Sequence, residues 1–356
     1  MNLAAVSAHR RPLVWTGAAL VVLALAALPL ALAAAFGQTW VRVVNLALLY
    51  VMLALGLNIV VGFAGLLDLG YIAFYAVGAY AYALLSSPHF GIHLPFWITL
   101  PIGFVVAALF GALLGAPTLK LRGDYLAIVT LGFGEIIRIF LNNLNAPVNI
   151  TNGPQGVNLV DPLRLGNFSL STRETLFGLD FSGPQKYYYA LLMLTLAIIV
   201  VNLRLQDSRI GRAWEAIRED ETAAKAMGIN TRNIKLLAFA MGASFGGLAG
   251  GMFASIQGFI SPESFSVLES IMVVSMVVLG GMGNIAGVIL GAVLLTGLPE
   301  VIRFTVVPAQ QAVFGKVIVD PEAIRMLLFG LALILVMLLR PAGVWPAKVR
   351  RREFAR

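Results

Sequence analysis

Apolar segments long enough to cross a lipid bilayer recur along almost the whole chain. A helix needs about 20 mostly apolar residues to cross the hydrocarbon core of a bilayer. Hydrophobic residues make up 59% of the 356 residues and charged residues 12%, whereas a soluble domain typically carries about 25% charged residues. The sequence therefore predicts an all-α polytopic membrane protein with about ten transmembrane segments. The candidate segments are 13–36, 41–61, 66–86, 96–116, 125–143, 187–203, 233–257, 267–283, 285–305 and 323–340.

A secretory signal peptide is the alternative interpretation of the first apolar segment. Arg10 and Arg11 precede this segment, and the small residues at 31–35 resemble a cleavage site. The apolar stretch is longer than the roughly 7–15 residues of a signal peptide's apolar region. We therefore expect the first segment to be retained as a membrane span.

The distribution of basic residues predicts which side of the membrane each loop faces, because cytoplasmic loops collect Lys and Arg. With both termini in the cytoplasm, about two thirds of the 25 Lys and Arg residues fall on the cytoplasmic side. The sequence therefore predicts an N-in, C-in topology for a single transmembrane domain over 1–356. A cytoplasmic loop is expected at 204–232 and an external loop region at 144–186. The same bias accounts for the net charge of +8 without nucleic acid as a partner.

The segments 267–283 and 285–305 are joined by a glycine-rich stretch, 280–287, that carries no charge to fix its depth in the membrane. Two alternatives follow for this pair. It forms either two spans with a tight cytoplasmic turn, or a re-entrant hairpin near 267–305 that does not cross the bilayer. Both alternatives leave the rest of the predicted topology unchanged.

Charge is concentrated in one block, residues 208–228, within an otherwise apolar sequence. We expect two short helices there, the first from about Gly211 to Glu219, and the second capped by Asp220 or Glu221 and closed at Gly228. Small apolar residues on these helices would pack closely against another protein, while the charges set the docking register. An ordinary solvated loop is the alternative. The candidate docking residues are Arg212, Glu215, Ala216, Glu219, Asp220, Glu221, Ala223, Ala224 and Gly228.

The sequence carries no recognisable catalytic or ATP-binding motif. A Gly-x-x-x-x-Gly-Lys-Ser/Thr phosphate-binding loop does not occur, so any ATP that drives this protein, with its Mg²⁺, must bind to a partner subunit. There is no cysteine, and the three histidines are too scattered for a metal site. We therefore expect a protein that is not an enzyme and that holds no cofactor or metal of its own.

Ionisable residues within the apolar segments are functional candidates, because charge in hydrocarbon is costly. Arg138 follows Glu135 by three residues, so an ion pair within one helix is a sufficient explanation for both. Asp68 has no such local partner and lies in a glycine-containing stretch that suggests a broken helix, as in the substrate pathways of transporters. A helix junction near the cytoplasmic surface is the alternative. The candidate pathway residues are Asp68, Tyr71, Thr130, Glu135 and Asn284.

Gly242, Gly246 and Gly250 recur every four residues within the predicted span 233–257. This spacing allows two membrane helices to approach closely. The partner is either another helix of the same chain or a second protein. Tight packing within the chain is the interpretation that we favour.

Several separated motifs, taken in order, resemble those of the LivM-type permease subunits of bacterial branched-chain amino acid ABC importers. They are LGYIAFYAVGAY at 69–80, LRGDYLAIVTLGFGEIIR at 121–138, TNGPQG at 151–156, the block 208–228, and LGGMGNIAGVILGA at 279–292. The resemblance covers most of the chain. One departure bears on the substrate and not on the family: many members carry QLSLGH where this chain reads LLDLGY.

The resemblance implies a multi-pass permease of the bacterial inner membrane, which forms half of a pore with a second, LivH-like permease in the lipid bilayer. It also implies two cytoplasmic ATPase subunits that dock on the block 208–228. A periplasmic or extracellular binding protein would deliver leucine, isoleucine, valine or a related small solute. An ion-coupled secondary transporter and a passive channel for small polar solutes are the alternatives, and neither needs a docking block.

Overall fold

The computed structural model describes residues 22, 24–119, 121, 123–165, 168–176, 179–314, 327, 330–331, 334–335, 338–340 and 343–346. Most of these residues lie in helices, which confirms the predicted all-α class. The span predicted at 323–340 falls largely outside the described residues, and so does the first half of the span predicted at 13–36.

The helices follow the apolar segments of the sequence closely. A π-helical turn, Asn58–Phe63, continues the second helix without interruption. The helices are α1 (Ala24–Phe36), α2 (Gln38–Leu57), α3 (Ile72–Leu85), α4 (Phe96–Thr118), α5 (Asp124–Asn143), α6 (Gly183–Gln206), α7 (Arg209–Glu219), α8 (Glu221–Ala226), α9 (Thr231–Gln257), α10 (Val267–Gly280) and α11 (Ile285–Phe314).

Six helical stretches among the described residues are long and apolar enough to cross a membrane, as expected of a polytopic membrane protein. Besides the predicted spans at 13–36 and 323–340, which fall partly or largely outside the described residues, those at 66–86 and 125–143 are not among them. α3 has 14 residues, or about 21 Å at 1.5 Å per residue, because it begins at Ile72 and not at residue 66. α5 has 20 residues but carries three charges. The six stretches are Gln38–Phe63, Phe96–Thr118, Gly183–Gln206, Thr231–Gln257, Pro262–Gly280 and Ile285–Val306.

Short antiparallel strands lie mainly between α5 and α6, in the segment that the sequence predicts to be an external loop region. One strand of this segment pairs with a strand that directly follows α9, so the segment is tied to the end of that helix. The pairs are β1 (Val157–Asn158) with β6 (Phe259–Ile260), β2 (Arg164–Leu165) with β3 (Phe168–Ser169), and β4 (Glu174–Leu176) with β5 (Leu179–Phe181).

The two ends of the helical bundle differ in what covers them. At one end, called here the strand end, β1 and β6 lie beside the last residues of α9. At the other, called the α7 end, the indole N–H of Trp214 in α7 donates to the carbonyl oxygen of Ile234, 2.7 Å away, near the start of α9. α9 therefore runs from the α7 end to the strand end.

α10 and α11 run the length of the bundle in opposite directions. α10 follows β6 after the short turn Pro262–Phe265, and it ends near Asn58, whose side-chain oxygen accepts a hydrogen bond of 2.8 Å from the N–H of Gly283. α11 then returns, and Phe304 packs against Trp40 near the start of α2, with ring centroids 6.0 Å apart. α10 and α11 therefore form an antiparallel pair.

The glycines of α9 allow backbone-to-backbone contact with neighbouring helices of the same chain. Gly242 lies against α2, and Gly246 and Gly250 lie against α3. A Cβ atom at Gly250 would lie only 2.1 Å from the carbonyl oxygen of Tyr75. On another side of α9, Gly247 lies against α4. The structure thus places all three predicted packing glycines at contacts within the chain.

We expect Gly250→Ala to destabilise the bundle, because the added methyl group would force α9 away from α3 at a typical cost of about 1–3 kcal/mol. Gly132→Ala is the matched control, since a Cβ atom at Gly132 in α5 meets nothing within 4 Å. Alanine favours a helix over glycine by about 1 kcal/mol, so this control should not lower stability. The measurement is the apparent unfolding temperature of the purified protein in detergent. Equal temperatures for the two variants would contradict the packing argument.

Candidate functional site

α7 is a packed helix, held to the bundle by its apolar side. Ser208 caps its start by accepting a hydrogen bond of 3.1 Å from the N–H of Gly211. Trp214 is fully buried, and Ile217 is buried one turn further along. The indole bond to Ile234 fixes the rotation of α7 about its own axis. The block 208–228 therefore contains packed helices and is not an ordinary solvated loop.

Asp220 forms the junction between α7 and α8. Its side-chain oxygen accepts hydrogen bonds from the backbone N–H groups of Thr222 and Ala223, at 2.7 and 3.1 Å, and so satisfies donors that are free at the start of a helix. α8 ends before Gly228, whose φ of 83° is a conformation that glycine adopts without strain. The sequence predicts both of these positions.

Glu221 anchors α8 to α9. Its carboxylate pairs with Lys225 at 3.1 Å, four residues on, and with Lys235 of α9 at 2.8 Å. Partial burial acts to raise the pKa of Glu221, but hydrogen bonds from Lys235 and Lys225, together with their positive charges, outweigh burial and lower the pKa to about 2. Glu221 thus stabilises the block 208–228, called here the docking block after its predicted role, and the sequence alone does not indicate the contact with Lys235.

The outer face of α7 and α8 carries most of the predicted docking residues. The exposed ones are Arg212, Glu215, Glu219, Asp220, Ala223 and Gly228. Met227 adds a large apolar side chain that is 83% exposed. Exposed Met and Arg side chains with a polar rim are typical of protein–protein interfaces. We refer to these seven residues as the docking face.

Ala224 is wrongly predicted as a docking residue. Its side chain is only 3% exposed, because α8 packs against the rest of the chain on this side, so Ala224 cannot contact a partner directly. Ala216 is half-buried. The error arises because small apolar residues suit both a docking face and an internal contact, and α8 has only six residues in which to show a periodicity.

Sequence reasoning misses Arg218, which links the docking block to the end of α2. Its guanidinium Nη1 donates a hydrogen bond to the carbonyl oxygen of Gly62. Its side-chain carbons lie against Gly65, where a Cβ atom would be 2.7 Å from Arg218 Cγ. Because Gly62 and Arg218 are 156 residues apart in sequence, no local pattern predicts this contact.

Asp68 and Thr130 are brought together by the structure. Both line a small cleft between α3, α4, α5 and α9, whose remaining wall is mostly apolar. Asp68 is buried, and its Oδ1 accepts a hydrogen bond of 2.9 Å from the N–H of Gly70. Its Oδ2 has no hydrogen-bond partner among the described residues. A buried polar atom without a partner is costly, so Asp68 stays a candidate pathway residue.

The other three predicted pathway residues lie elsewhere and have structural contacts. The hydroxyl of Tyr71 donates to the carbonyl oxygen of Gly242 at 2.8 Å. Glu135 pairs with Arg138 in the same helix at 2.5 Å, in line with the structural alternative for these two residues. Asn284 accepts a hydrogen bond from a backbone N–H at the start of α11. None of the three lines the cleft that contains Asp68.

Comparison with known proteins places this architecture in a family. Residues 39–337 match the family described as branched-chain amino acid transport system / permease component. The chain belongs to this family. As a permease component it is a translocation subunit and not an enzyme.

Three relatives illustrate the range of similarity. This permease is 46% identical over 319 residues to the high-affinity branched-chain amino acid transport system permease protein LivM of Escherichia coli strain K12, covering 86% of this chain and 70% of that protein. It is 27% identical to a probable LivM protein of Methanocaldococcus jannaschii, covering 77% and 74% of the two chains. It is also 26% identical to LivH of Salmonella typhimurium, covering 87% and 95%. No solved structure gives a significant match.

We expect the attachment of α8 to weaken as the pH falls from about 4.5 towards 2. The pKa of Glu221 is lowered in the folded state to about 2. Such a carboxylate stabilises the folded state fully above its unfolded pKa, and this stabilisation is lost as the pH falls towards the folded pKa. A fluorophore on Ala226→Cys can report this, since the chain has no other cysteine. Its anisotropy should fall over this pH range.

The matched variants are Glu221→Gln and Glu219→Gln. Glu221→Gln removes the charge that binds Lys235, so the anisotropy should already be lower at neutral pH and should change little on acidification. Glu219→Gln alters an exposed carboxylate in α7 and should behave as the unsubstituted permease does. The same pH response in all three proteins would rule out the anchoring role of Glu221.

Proposed function

We propose that this permease forms half of the pore of an ATP-driven importer for leucine, isoleucine, valine or related small solutes, and that α7 and α8 dock its ATPase. The observation that carries this proposal is the docking face: two packed helices at one end of the bundle expose one basic and three acidic side chains together with Met227. The sequence lacks a phosphate-binding loop. A partner must therefore supply ATP hydrolysis and bind the Mg²⁺ that accompanies it.

The proposed assembly contains this permease, a second LivH-like permease, two ATPase subunits and a periplasmic or extracellular binding protein. The similarity of this permease to both LivM and LivH proteins supports a pore built from two related permeases. Two related subunits would each present one docking block, which suits a pair of ATPases. The strand end of the bundle, with its paired strands, would then face the binding protein.

The proposed topology has about ten spans and both termini in the cytoplasm of a bacterial cell, with the protein in the inner membrane. The bias of Lys and Arg supports a cytoplasmic position for the docking block. The backbone N–H of Trp345 donates to the carbonyl oxygen of Gly280 at 3.1 Å. The segment that contains Trp345 therefore lies at the α7 end of the bundle, as the docking block does. The turn between α10 and α11 would be cytoplasmic, with both helices crossing.

The cleft of Asp68 and Thr130 is the proposed contact with the translocation pathway. An unpartnered carboxylate oxygen beside apolar walls offers a contact for a positively charged group next to an aliphatic one. The α-ammonium group and side chain of a branched-chain amino acid have this combination.

We expect Met227→Asp and Glu215→Lys to reduce ATPase docking, because each places an unfavourable charge on the docking face. The measurement is recovery of ATPase subunits with the affinity-tagged permease from native membranes in mild detergent, followed by ATP-driven uptake in liposomes. Loss of a hot-spot side chain at the centre of an interface costs about 2 kcal/mol or more, so recovery should fall at least several-fold and uptake with it.

Val148→Asp is the matched control for Met227→Asp. Val148 is an exposed apolar residue in the loop after α5, away from α7 and α8, so this variant should retain its ATPase subunits. Normal ATPase recovery with both docking-face variants would contradict the proposed docking role. Uptake driven by an ion gradient in the absence of any ATPase would contradict the ABC mechanism itself.

A further inference from the structure

The segment between α2 and α3 is irregular and crosses from the α7 end into the interior of the bundle. α2 continues into the π-helical turn Asn58–Phe63, and α3 does not begin until Ile72. Single π-helical turns occur often at functional sites and are less regular than an α-helix. We call residues 62–70 the linking segment, because each of its ends contacts a different helix.

Arg218 of α7 contacts the first end of the linking segment. It donates to the carbonyl oxygen of Gly62, near the end of the π-helical turn. Three residues on, Gly65 has a φ of 69°, and its missing side chain leaves the space that the carbons of Arg218 fill. A displacement of α7 would therefore move this end of the segment directly.

The second end of the linking segment contacts α5 and α10. The N–H of Leu69 donates to the hydroxyl of Thr130 in α5 at 3.0 Å, and the hydroxyl of Ser270 in α10 donates to the carbonyl oxygen of Leu69. Gly70 lies so close to α5 that a Cβ atom there would be 1.9 Å from the carbonyl oxygen of Thr130. Asp68 closes the turn by accepting from the N–H of Gly70.

α5 is less firmly packed than the core of the bundle. Five of its 20 residues are buried, namely Leu126, Ala127, Thr130, Gly134 and Leu141. By contrast, 16 of the 27 residues of α9 are buried, and its glycines contact three helices. Near the strand end, α5 is joined to the turn before α10 by the pair of Arg138 with Glu263, at 3.0 Å, in which Glu263 is largely exposed. A force on both helices would displace α5 more easily than α9.

We propose that Arg218 is a positioning residue that transmits the movement of α7 through the linking segment to α5. This inference rests on the proposed docking of an ATPase on α7 and α8. When the docking face moves, Trp214 pushes against α9, which is closely packed. Arg218 instead pushes against Gly62, and the linking segment passes this movement through Leu69 and Gly70 to Thr130. α5 then shifts relative to the core, and the cleft of Asp68 changes shape.

The test uses the permease in its purified assembly with ATPase subunits, reconstituted in lipid. Spin labels on Asn143→Cys, at the end of α5, and on Gln257→Cys, at the end of α9, report movement of α5 against the core. Both positions are exposed, and the chain has no other cysteine. The distance between the labels is measured with and without ATP, and ATP-driven uptake is measured in parallel.

We expect Arg218→Ala to retain its ATPase subunits but to lose the ATP-dependent change in distance. Uptake should fall about tenfold, the effect of losing one hydrogen bond to a charged group. Arg218→Lys keeps a donor and a positive charge near Gly62 and should restore part of both signals. Arg232→Ala removes an exposed charge at the start of α9 and should retain both.

The outcomes separate this inference from the proposed function. If uptake and the distance change are the same with Arg218→Ala as without it, Arg218 does not transmit movement. An unsubstituted permease that takes up substrate with ATP but shows no distance change would also overturn the proposal. If no ATPase subunit is recovered with the unsubstituted permease, the proposed function fails, and the role of Arg218 fails with it.

Discussion

The close approach of α9 to its neighbours is the constraint on which the rest of the structure depends. In a bilayer, burial of apolar surface gives little drive for helices to associate, so packing and hydrogen bonds must hold them together. The glycines of α9 provide this contact on more than one side of the helix. Tyr71 can reach the carbonyl oxygen of Gly242 only because Gly56 has no side chain in its way. The start of α3 is fixed by the same contact.

The sequence predicts most of the long helices because hydropathy and length are sufficient to identify them. The glycines around Asp68 predict a break in this region, but hydropathy misplaces the start of α3, since Leu66, Leu67 and Leu69 continue the apolar character of the segment. The helix is interrupted there for conformational reasons: Gly65 adopts a φ of 69°, and Asp68 accepts from the N–H of Gly70. Hydropathy does not report either of these features.

In the docking block, too, the sequence predicts the local interactions and misses those between different helices or segments. The cap at Asp220 and the helix end at Gly228 are local, and the sequence predicts both. The contacts of Lys235 with Glu221 and of Arg218 with Gly62 join residues on different helices or segments, so no local sequence pattern predicts them. Ala224 is misassigned for a related reason, because its environment is set by how α8 packs and not by its own chemistry.

The junction at Asp220 sets how α7 and α8 are oriented relative to each other. No linker separates α7 from α8, since Asp220 both follows the last residue of one helix and caps the next. The angular phase between the two helices is therefore set by a single residue. One residue inserted within α7 would turn Asp220 and α8 by about 100° about the axis of α7, at 3.6 residues per turn. Charge on one helix and Met227 on the other would then no longer face the same partner, although every side chain of the docking face would still be present.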